Sequence, residues 1–318
     1  MRKWRNCLRG PPDMIVLLPA LYSTKHLFML FATVLLLVMS TAARSAGEQP
    51  APPFWRVTNA ANETYILGSM HLGTPKMYPL PAPIRDALSR AKIIALEIDS
   101  TAITPRQLAR MQALGTYPQG ESLRAHAGPQ RWTEMTALCH RLAVDCDRLV
   151  KRRPWLAALE LVLAAVAKAG FNALHGIEVH ILLNKPAATR IIELESFEAQ
   201  LAVLSGFVNE EALAYLMETI ESFDDIDTVL RELADAWLYG RDEDLDRLIN
   251  QEMRGSKVKD LYKKMIVDRN HTMADGIEEL LRQQEPTLVV VGAGHVVGVD
   301  SIPNVLKARG WQLERVRP

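Results

Sequence analysis

The chain has little cysteine and no excess of either charge, and both shortages exclude classes of protein. Its 318 residues include three cysteines, none of them in a Cys-x-x-Cys pair, so a structural zinc site built from thiolates is not expected. Lysine plus arginine number 37, as do aspartate plus glutamate, and the formal net charge is zero. A chain without a basic excess lacks the positive surface that neutralises phosphates, which argues against a nucleic-acid partner.

Long hydrophobic runs are also missing. The apolar run at residues 27–39 has thirteen residues, fewer than the roughly 20 that a membrane-spanning helix needs. Basic residues precede this run and mostly small residues, 40–46, follow it, which is the order of a secretory signal peptide. We therefore predict a signal peptide at residues 1–46, with an uncleaved N-terminal anchor as the alternative. The mature protein is expected in the periplasm or outside the cell, with no other contact to a membrane.

Cys139 and Cys146 remain after the predicted signal peptide, and the sequence leaves their pairing open. In one continuous helix this spacing puts the two Cα atoms about 10 Å apart, which is beyond the reach of a disulfide. A bridge therefore requires a turn between them. An oxidising compartment would permit that bridge, and two free buried thiols are the other interpretation.

Hydrophobic periodicity divides the mature chain into a linker, residues 47–53, and one domain, residues 54–318. Short apolar runs predict strands at 54–57, 64–67, 93–98, 190–194, 287–291 and 312–316. Helical spacing of three and four dominates between about residues 105 and 285. The predicted fold is of the α/β (α+β) class, a small mixed sheet built from both ends of the mature chain with a large helical insertion.

Two Gly-x-x-His segments lie near opposite ends of the domain, and each follows an apolar strand. The first turn comprises residues 68–71 and the second turn residues 292–295, with turn glycines Gly68, Gly292 and Gly294. Glycine allows a sharp turn and a close approach of backbone to ligand, and ligands bind outside the carboxyl ends of sheet strands. We therefore predict that both imidazoles face one crevice. Val297 stands where a dinucleotide fingerprint would have its third glycine, so dinucleotide binding is not expected.

Glu97 lies inside the predicted strand at 93–98, and Glu195 follows the predicted strand at 190–194. Burial of an unpaired carboxylate is costly, so each needs a positive partner or a metal ion. An ion pair with an arginine, for example Arg269 or Arg190, is one interpretation. The other is a site for Mn²⁺, Co²⁺ or Zn²⁺, which would acidify a bound water molecule into a nucleophile. Its ligands would be His71, Glu97, Glu195 and His295.

These motifs, in this order, resemble the TraB/GumN family. The resemblance covers about residues 54–317 and rests on YILGSMHLG, ALEID, RRPWLAALEL, HGIEVHILLNK, ELESFEAQL, DRNHTMADGI and VVVGAGHVVG. The family is similar to the animal Tiki proteins, which are manganese- or cobalt-dependent proteases, and more distantly to erythromycin esterase-like hydrolases. The resemblance therefore implies a metal-dependent hydrolase that acts on a peptide or a small molecule.

The resemblance also assigns roles to single residues. It implies that His71 and His295 are the paired motif histidines and that Glu97 is catalytic. Arg269 and Asn270 match an Arg-Asn pair of the family, which implies catalytic roles for both; Arg269 would stabilise an oxyanion or orient a carboxylate. Glu178 replaces the aspartate expected in the family pattern, and its role stays open.

Two functions without hydrolysis are the alternatives. One is an envelope protein that binds or sequesters a signalling peptide, and the other is an accessory factor in exopolysaccharide production. The four candidate metal ligands favour the hydrolase, because a binding module has little reason to keep two acids at strand ends beside the histidines. Substrate, metal identity and oligomeric state are not predicted.

Overall fold

The computed structural model describes residues 49–207, 209–258 and 260–317 of the chain. The predicted signal peptide, or the anchor that is its alternative, lies outside the described residues. Within the described ranges, no helix is both long enough and apolar enough to cross a membrane.

A six-stranded mixed sheet forms the centre of the domain. Its strands are β1 (Phe54–Val57), β2 (Thr64–Ser69), β3 (Ile93–Leu96), β4 (Arg190–Glu193), β5 (Thr287–Gly292) and β6 (Leu313–Arg315). They are ordered β4-β3-β5-β2-β1-β6, with β4, β3, β5 and β2 parallel and β1 antiparallel to both of its neighbours. The mixed sheet built from both ends of the chain, predicted from the sequence, is confirmed.

The parallel register places four strand ends at one edge of the sheet. Ser69, the last residue of β2, pairs with Gly292, the last residue of β5. β5 pairs with β2 along one edge and with β3 along the other. β4 pairs with the free edge of β3 as far as Glu193. β3 and β5 are completely buried, as expected for parallel strands covered on both faces. Residues that directly follow these four strands therefore meet at a common edge.

Helices surround the sheet and make up most of the region between β3 and β5. They are α1 (Ala82–Arg90), α2 (Pro105–Leu114), α3 (Leu123–Leu142), α4 (Pro154–Lys168), α5 (Ile177–Asn184), α6 (Phe197–Ser205), α7 (Asn209–Glu221), α8 (Ile226–Leu238), α9 (Asp242–Leu245), α10 (Glu252–Gly255), α11 (Asp268–Leu281) and α12 (Ile302–Ala308). Apolar residues at helical spacing predict one continuous helix over residues 242–253, and this prediction is wrong in one respect. A π-helical segment, Asp246–Gln251, separates α9 from α10, and a second one, Lys263–Val267, leads into α11.

Cys139 and Cys146 form a disulfide, with their Cα atoms 5.6 Å apart. α3 ends at Leu142, and Ala143 takes a left-handed conformation with φ of 55°, which reverses the chain. The sequence shows only a weak turn signal here, because alanine rarely adopts positive φ. This turn brings together two cysteines that a continuous helix would hold apart.

We expect the double variant Cys139→Ala/Cys146→Ala to have a free energy of unfolding about 2–3 kcal/mol below that of the wild type. The reason is that the bridge closes a short loop, with a sequence separation of seven, and so restricts the unfolded chain. Urea unfolding with and without dithiothreitol measures the difference. With dithiothreitol, the unfolding curve of the wild type should coincide with that of the double variant. The curve of the double variant itself should not change. Two titratable thiols in denatured, untreated exported protein would contradict this expectation.

Candidate functional site

The common edge of the four parallel strands gathers most of the residues singled out in the sequence. His71 lies two residues beyond β2, Glu97 directly follows β3, Glu195 lies two residues beyond β4, and His295 lies three residues beyond β5. His71 and Glu97 are only 8% and 7% exposed, and His295 is completely buried. Short turns at neighbouring parallel strands therefore bring residues from distant parts of the sequence together.

Gly292 lies at the centre of this group. A methyl group on its Cα would lie 3.1 Å from Glu97 Oε1, 3.5 Å from His71 Nε2 and 3.6 Å from His295 Cδ2. Three of the predicted site residues therefore border one point. The absence of a side chain at Gly292 leaves that point open to them.

The protonation of His295 follows from its neighbours. Asn270 Nδ2 donates to the carbonyl oxygen of Asp300 over 2.6 Å, which turns Asn270 Oδ1 toward His295 Nδ1, also at 2.6 Å. Burial lowers the pKa of His295 to about 3, so the ring is neutral near pH 7 and its single proton lies on Nδ1. Nε2 is therefore a bare acceptor.

Nε2 of His295 is buried and has no hydrogen-bond partner among the described residues. Glu97 Oε1 lies 3.7 Å away from it. Both atoms are acceptors, so they cannot bond to each other directly. A proton donor or a cation between them would satisfy both.

His71 has a different partner on its Nδ1. Glu178 Oε1 lies 2.7 Å from this nitrogen, the distance of an ion pair, and the Ser69 hydroxyl donates to the same oxygen. Burial opposes a charge on the ring, but Glu178 outweighs it and raises the pKa of His71. Glu178, whose role the sequence leaves open, thus orients His71 and favours a positive charge on its ring.

Arg269 binds both acids of the site. Its Nη2 lies 2.5 Å from Glu97 Oε2 and 2.6 Å from Glu195 Oε2, and its Nε donates to Glu195 Oε1 over 3.0 Å. Arg269 is 8% exposed, and burial opposes its charge, but the two carboxylates compensate that charge and raise its pKa. The proposed ion pair with an arginine is therefore made by Arg269. Arg190 instead pairs with Glu285 at the surface.

Glu97 remains ionised although it is buried. Burial opposes its charge, but Arg269 and the backbone N–H of Gly292 stabilise the carboxylate and hold its pKa well below the ordinary value. Oε2 is bound by Arg269, and Oε1 accepts the Gly292 N–H over 2.6 Å. Oε1 is thus the carboxylate oxygen that borders the same point as the two imidazoles.

The structure sorts the predicted site residues into two groups. His71, Glu97 and His295 surround Gly292, whereas Glu195 has both oxygens bound by Arg269. Asn270 contacts His295 rather than the open point. Within the described part of the chain, no group of three or more His, Cys, Asp or Glu side chains is arranged so as to hold a metal ion.

Three further residues support the site, and sequence reasoning gave none of them a role in it. Gln200 Nε2 donates to Glu195 Oε2 over 3.0 Å and to Glu97 Oε2 over 3.3 Å. Asn250 Nδ2, in the first π-helical segment, donates to carbonyl oxygens of the second turn and its flank. Trp237 Nε1 donates to the carbonyl oxygen of Gly68 over 2.7 Å.

Gly68 is where the two turns contact each other. A methyl group on Gly68 would lie 2.4 Å from Val296 Cγ2, so we expect Gly68→Ala to destabilise the fold by about 1–3 kcal/mol through overpacking. Thermal and urea unfolding of Gly68→Ala and the wild type measure this loss of stability. Gly68→Ala/Val296→Ala should recover part of the loss, because the second change removes the clashing methyl. Wild-type stability of Gly68→Ala would show that the turns are not closely packed.

A family model described as TraB/PrgY/gumN matches residues 53–315 of the chain. The chain belongs to this family. The match includes both Gly-x-x-His turns, Glu97, Glu195 and Arg269, so the resemblance inferred from the motifs is confirmed.

Relatives in this family cover most of the chain at low identity. The uncharacterized protein YbaP of Shigella flexneri is 25% identical over 77% of the chain and 88% of its own length. YbaP of Escherichia coli K12 is 25% identical over 76% of the chain and 87% of its own length. An uncharacterized protein of Treponema pallidum is 24% identical over 80% of both chains. No solved structure matches the chain.

Proposed function

We propose that this TraB/PrgY/gumN family protein is an exported, metal-dependent hydrolase, and that its substrate is a peptide. One observation carries the proposal. His71 Nε2 and Glu97 Oε1 border Gly292, and the bare Nε2 of His295 lies 3.7 Å from the same Glu97 oxygen. Glu97 Oε1 and the bare His295 Nε2 are acceptors that a cation would satisfy, and His71 Nε2 becomes a third once its proton is displaced.

The donor set fits Mn²⁺, Co²⁺ or Zn²⁺, since imidazole nitrogen and carboxylate oxygen are ordinary ligands for all three. Glu195 does not fit, because Arg269 binds both of its oxygens. The ligand set that we propose is therefore His71, Glu97 and His295. These three must draw closer together around an ion, since no group of three acids or histidines in the described ranges is placed to hold one.

A divalent ion bound there would supply a Lewis acid and acidify water. The residues of the chain provide the rest of the arrangement. Asn270 holds the His295 imidazole with Nδ1 protonated, so that its Nε2 is available, and Glu178 faces Nδ1 of His71, whose Nε2 would bind an ion after losing its proton. Arg269 and Gln200 fix Glu97 with Oε1 toward Gly292, where it can act as a ligand or accept a proton.

Two features support export. The disulfide between Cys139 and Cys146 suits an oxidising compartment, and the N-terminal sequence has the order of a signal peptide. N-terminal sequencing of the exported fraction should find a start between Ala43 and Gly47. A start at Met1 or Met14 in a membrane pellet would overturn cleavage.

The test of hydrolysis is the digestion of a defined peptide mixture, followed by mass spectrometry. We expect cleavage by the wild type, loss of cleavage with EDTA, and recovery with added Mn²⁺, Co²⁺ or Zn²⁺. His71→Gln should be inactive. His126→Gln is the matched control, because His126 also pairs with a glutamate, Glu121, but on the surface of α3. Tight peptide binding without cleavage under all metal conditions would contradict the hydrolase and support a sequestering protein.

A further inference from the structure

The Asn270 amide that contacts His295 is itself held by a loop. Its Nδ2 donates to the Asp300 carbonyl oxygen over 2.6 Å, and its Oδ1 lies 2.6 Å from His295 Nδ1. A rotated amide would present its NH₂ group to Nδ1, and the proton of the ring would then lie on Nε2. Asp300 belongs to the loop after the second turn, where the neighbouring Val299 is 75% exposed. Further contacts are therefore needed to keep the Asp300 carbonyl oxygen in place.

Tyr262, which directly precedes the second π-helical segment, makes such a contact. Its hydroxyl donates to Asp300 Oδ2 over 3.0 Å and accepts from Arg254 Nη1 over 3.2 Å. The Arg254 guanidinium also lies over the Tyr262 ring, 4.9 Å from its centre. Burial and the bond to Asp300 raise the pKa of Tyr262 to about 12, so the phenol remains a donor near pH 7.

Asp246, in the first π-helical segment, lies at the far end of this chain of contacts. Its Oδ2 accepts from Arg254 Nη2 over 2.6 Å, and its Oδ1 accepts from Asn250 Nδ2 over 2.9 Å. Asn250 donates in turn to carbonyl oxygens of the second turn and its flank. One carboxylate thus supports the backbone of the second turn through Asn250, and the loop after that turn through Arg254 and Tyr262. π-Helical insertions occur frequently at functional sites, and this one places Asp246 beneath the turn that carries a site histidine.

We propose that Tyr262 and Asp246 are positioning residues for His295. They hold the Asp300 carbonyl oxygen, which fixes the Asn270 amide, and that amide keeps the proton of His295 on Nδ1 and its Nε2 bare. This control of the ring proton does not depend on hydrolysis. Its consequence for a bound cation rests on the proposed function, because Nε2 is the ligand atom there. Loss of contacts that orient a ligand typically weakens metal binding by about 10- to 100-fold.

NMR spectra of the metal-free full chain, labelled with nitrogen-15 histidine, test the proposal. Long-range proton–nitrogen correlations distinguish a protonated ring nitrogen from a bare one, and the His295 signals are those that disappear in His295→Gln. The wild type should carry the His295 proton on Nδ1 alone. Tyr262→Phe keeps the ring but removes the bond to Asp300. This variant should show a second form with the proton on Nε2, because loss of one hydrogen bond shifts such an equilibrium by about tenfold.

Tyr65→Phe is the matched control. The Tyr65 hydroxyl also donates to a carboxylate over 3.0 Å, that of Glu63, but it does so near the start of β2, at the end of the strand remote from the site. This control should show only the wild-type form of His295, whereas Asp246→Ala should show the second form.

Asp300→Ala removes the same hydrogen bond as Tyr262→Phe from its other side, and it decides if Tyr262→Phe fails to fold. The two changes together should have no more effect on His295 than either alone, because they break one contact. His295 with its proton on Nδ1 alone in Tyr262→Phe and in Asp300→Ala would overturn the proposal, whatever their stability.

Titration with Mn²⁺ separates this proposal from the proposed function. Tyr262→Phe should bind Mn²⁺ about 10- to 100-fold more weakly than the wild type, and Tyr65→Phe should bind it equally well. A wild type that binds no divalent ion, with two forms of His295 in Tyr262→Phe, would refute the metal site and leave the positioning role standing. Equal Mn²⁺ binding by the wild type and Tyr262→Phe, with one form of His295 in both, would refute the positioning role and leave the metal site standing.

Discussion

Arg269→Met should lower the free energy of unfolding by about 3–5 kcal/mol, the largest loss that we expect from a single substitution at the site. The change leaves the carboxylates of Glu97 and Glu195 buried side by side without their shared counter-charge. Their mutual repulsion adds to the cost of desolvation. Urea unfolding followed by circular dichroism measures the loss.

Arg190→Met is the matched control for Arg269→Met. Arg190 pairs with Glu285, but both side chains are about half exposed, so its loss should cost about 1 kcal/mol or less. Adding Glu97→Gln and Glu195→Gln to Arg269→Met should restore much of the lost stability, because the uncompensated charges are then gone. Equal stability of Arg269→Met and Arg190→Met would show that the two carboxylates do not depend on Arg269.

Glu97→Gln should abolish hydrolysis, by at least the 10²- to 10⁴-fold that loss of a general base typically costs. The stability of this variant should fall by only about 1–2 kcal/mol. Glu195 still neutralises Arg269, and the loss is limited to hydrogen bonds in which an amide replaces a carboxylate. Peptide cleavage and thermal unfolding on the same preparation separate the two effects.

Glu195→Gln is the control for Glu97→Gln. It also removes one of the two charges that face Arg269, but both Glu195 oxygens are directed to that arginine rather than to Gly292. We expect a similar loss of stability with activity retained to within about tenfold. Equal loss of activity in both variants would mean that the acids act only through the ion pair.

The elements that carry the site could be predicted because their signals are local. Apolar runs that end in Gly-x-x-His indicated both turns, and β3 and β4 were recognisable from short Ile-rich runs. Parallel strands end at one edge, so Glu97 and the two histidines could be expected to lie near each other. No bounds were predicted for α6, although Ser196 caps it and its buried residues Phe197, Leu201 and Leu204 have helical spacing.

The contacts between side chains could not be predicted from the sequence. The sequence offered arginine and metal as alternative partners for the acids, and the structure shows Arg269 bound to Oε2 of Glu97 and the backbone N–H of Gly292 bound to Oε1. The pairing of Glu178 with His71 and of Asn270 with His295 depends on how α5 and α11 pack against the sheet. The disulfide depends on one residue with positive φ, Ala143, which composition does not reveal.

In the function that we propose, His71, Glu97 and His295 hold a divalent cation. Elemental analysis of the wild-type protein, purified from the exported fraction without chelator, tests it most directly. We expect about one manganese, cobalt or zinc ion per chain, and less than about a tenth of that in His295→Gln at unchanged fold, since loss of a ligand sharply weakens binding. A wild type that holds no divalent ion, even after incubation with each of the three metals and gel filtration, would contradict the account.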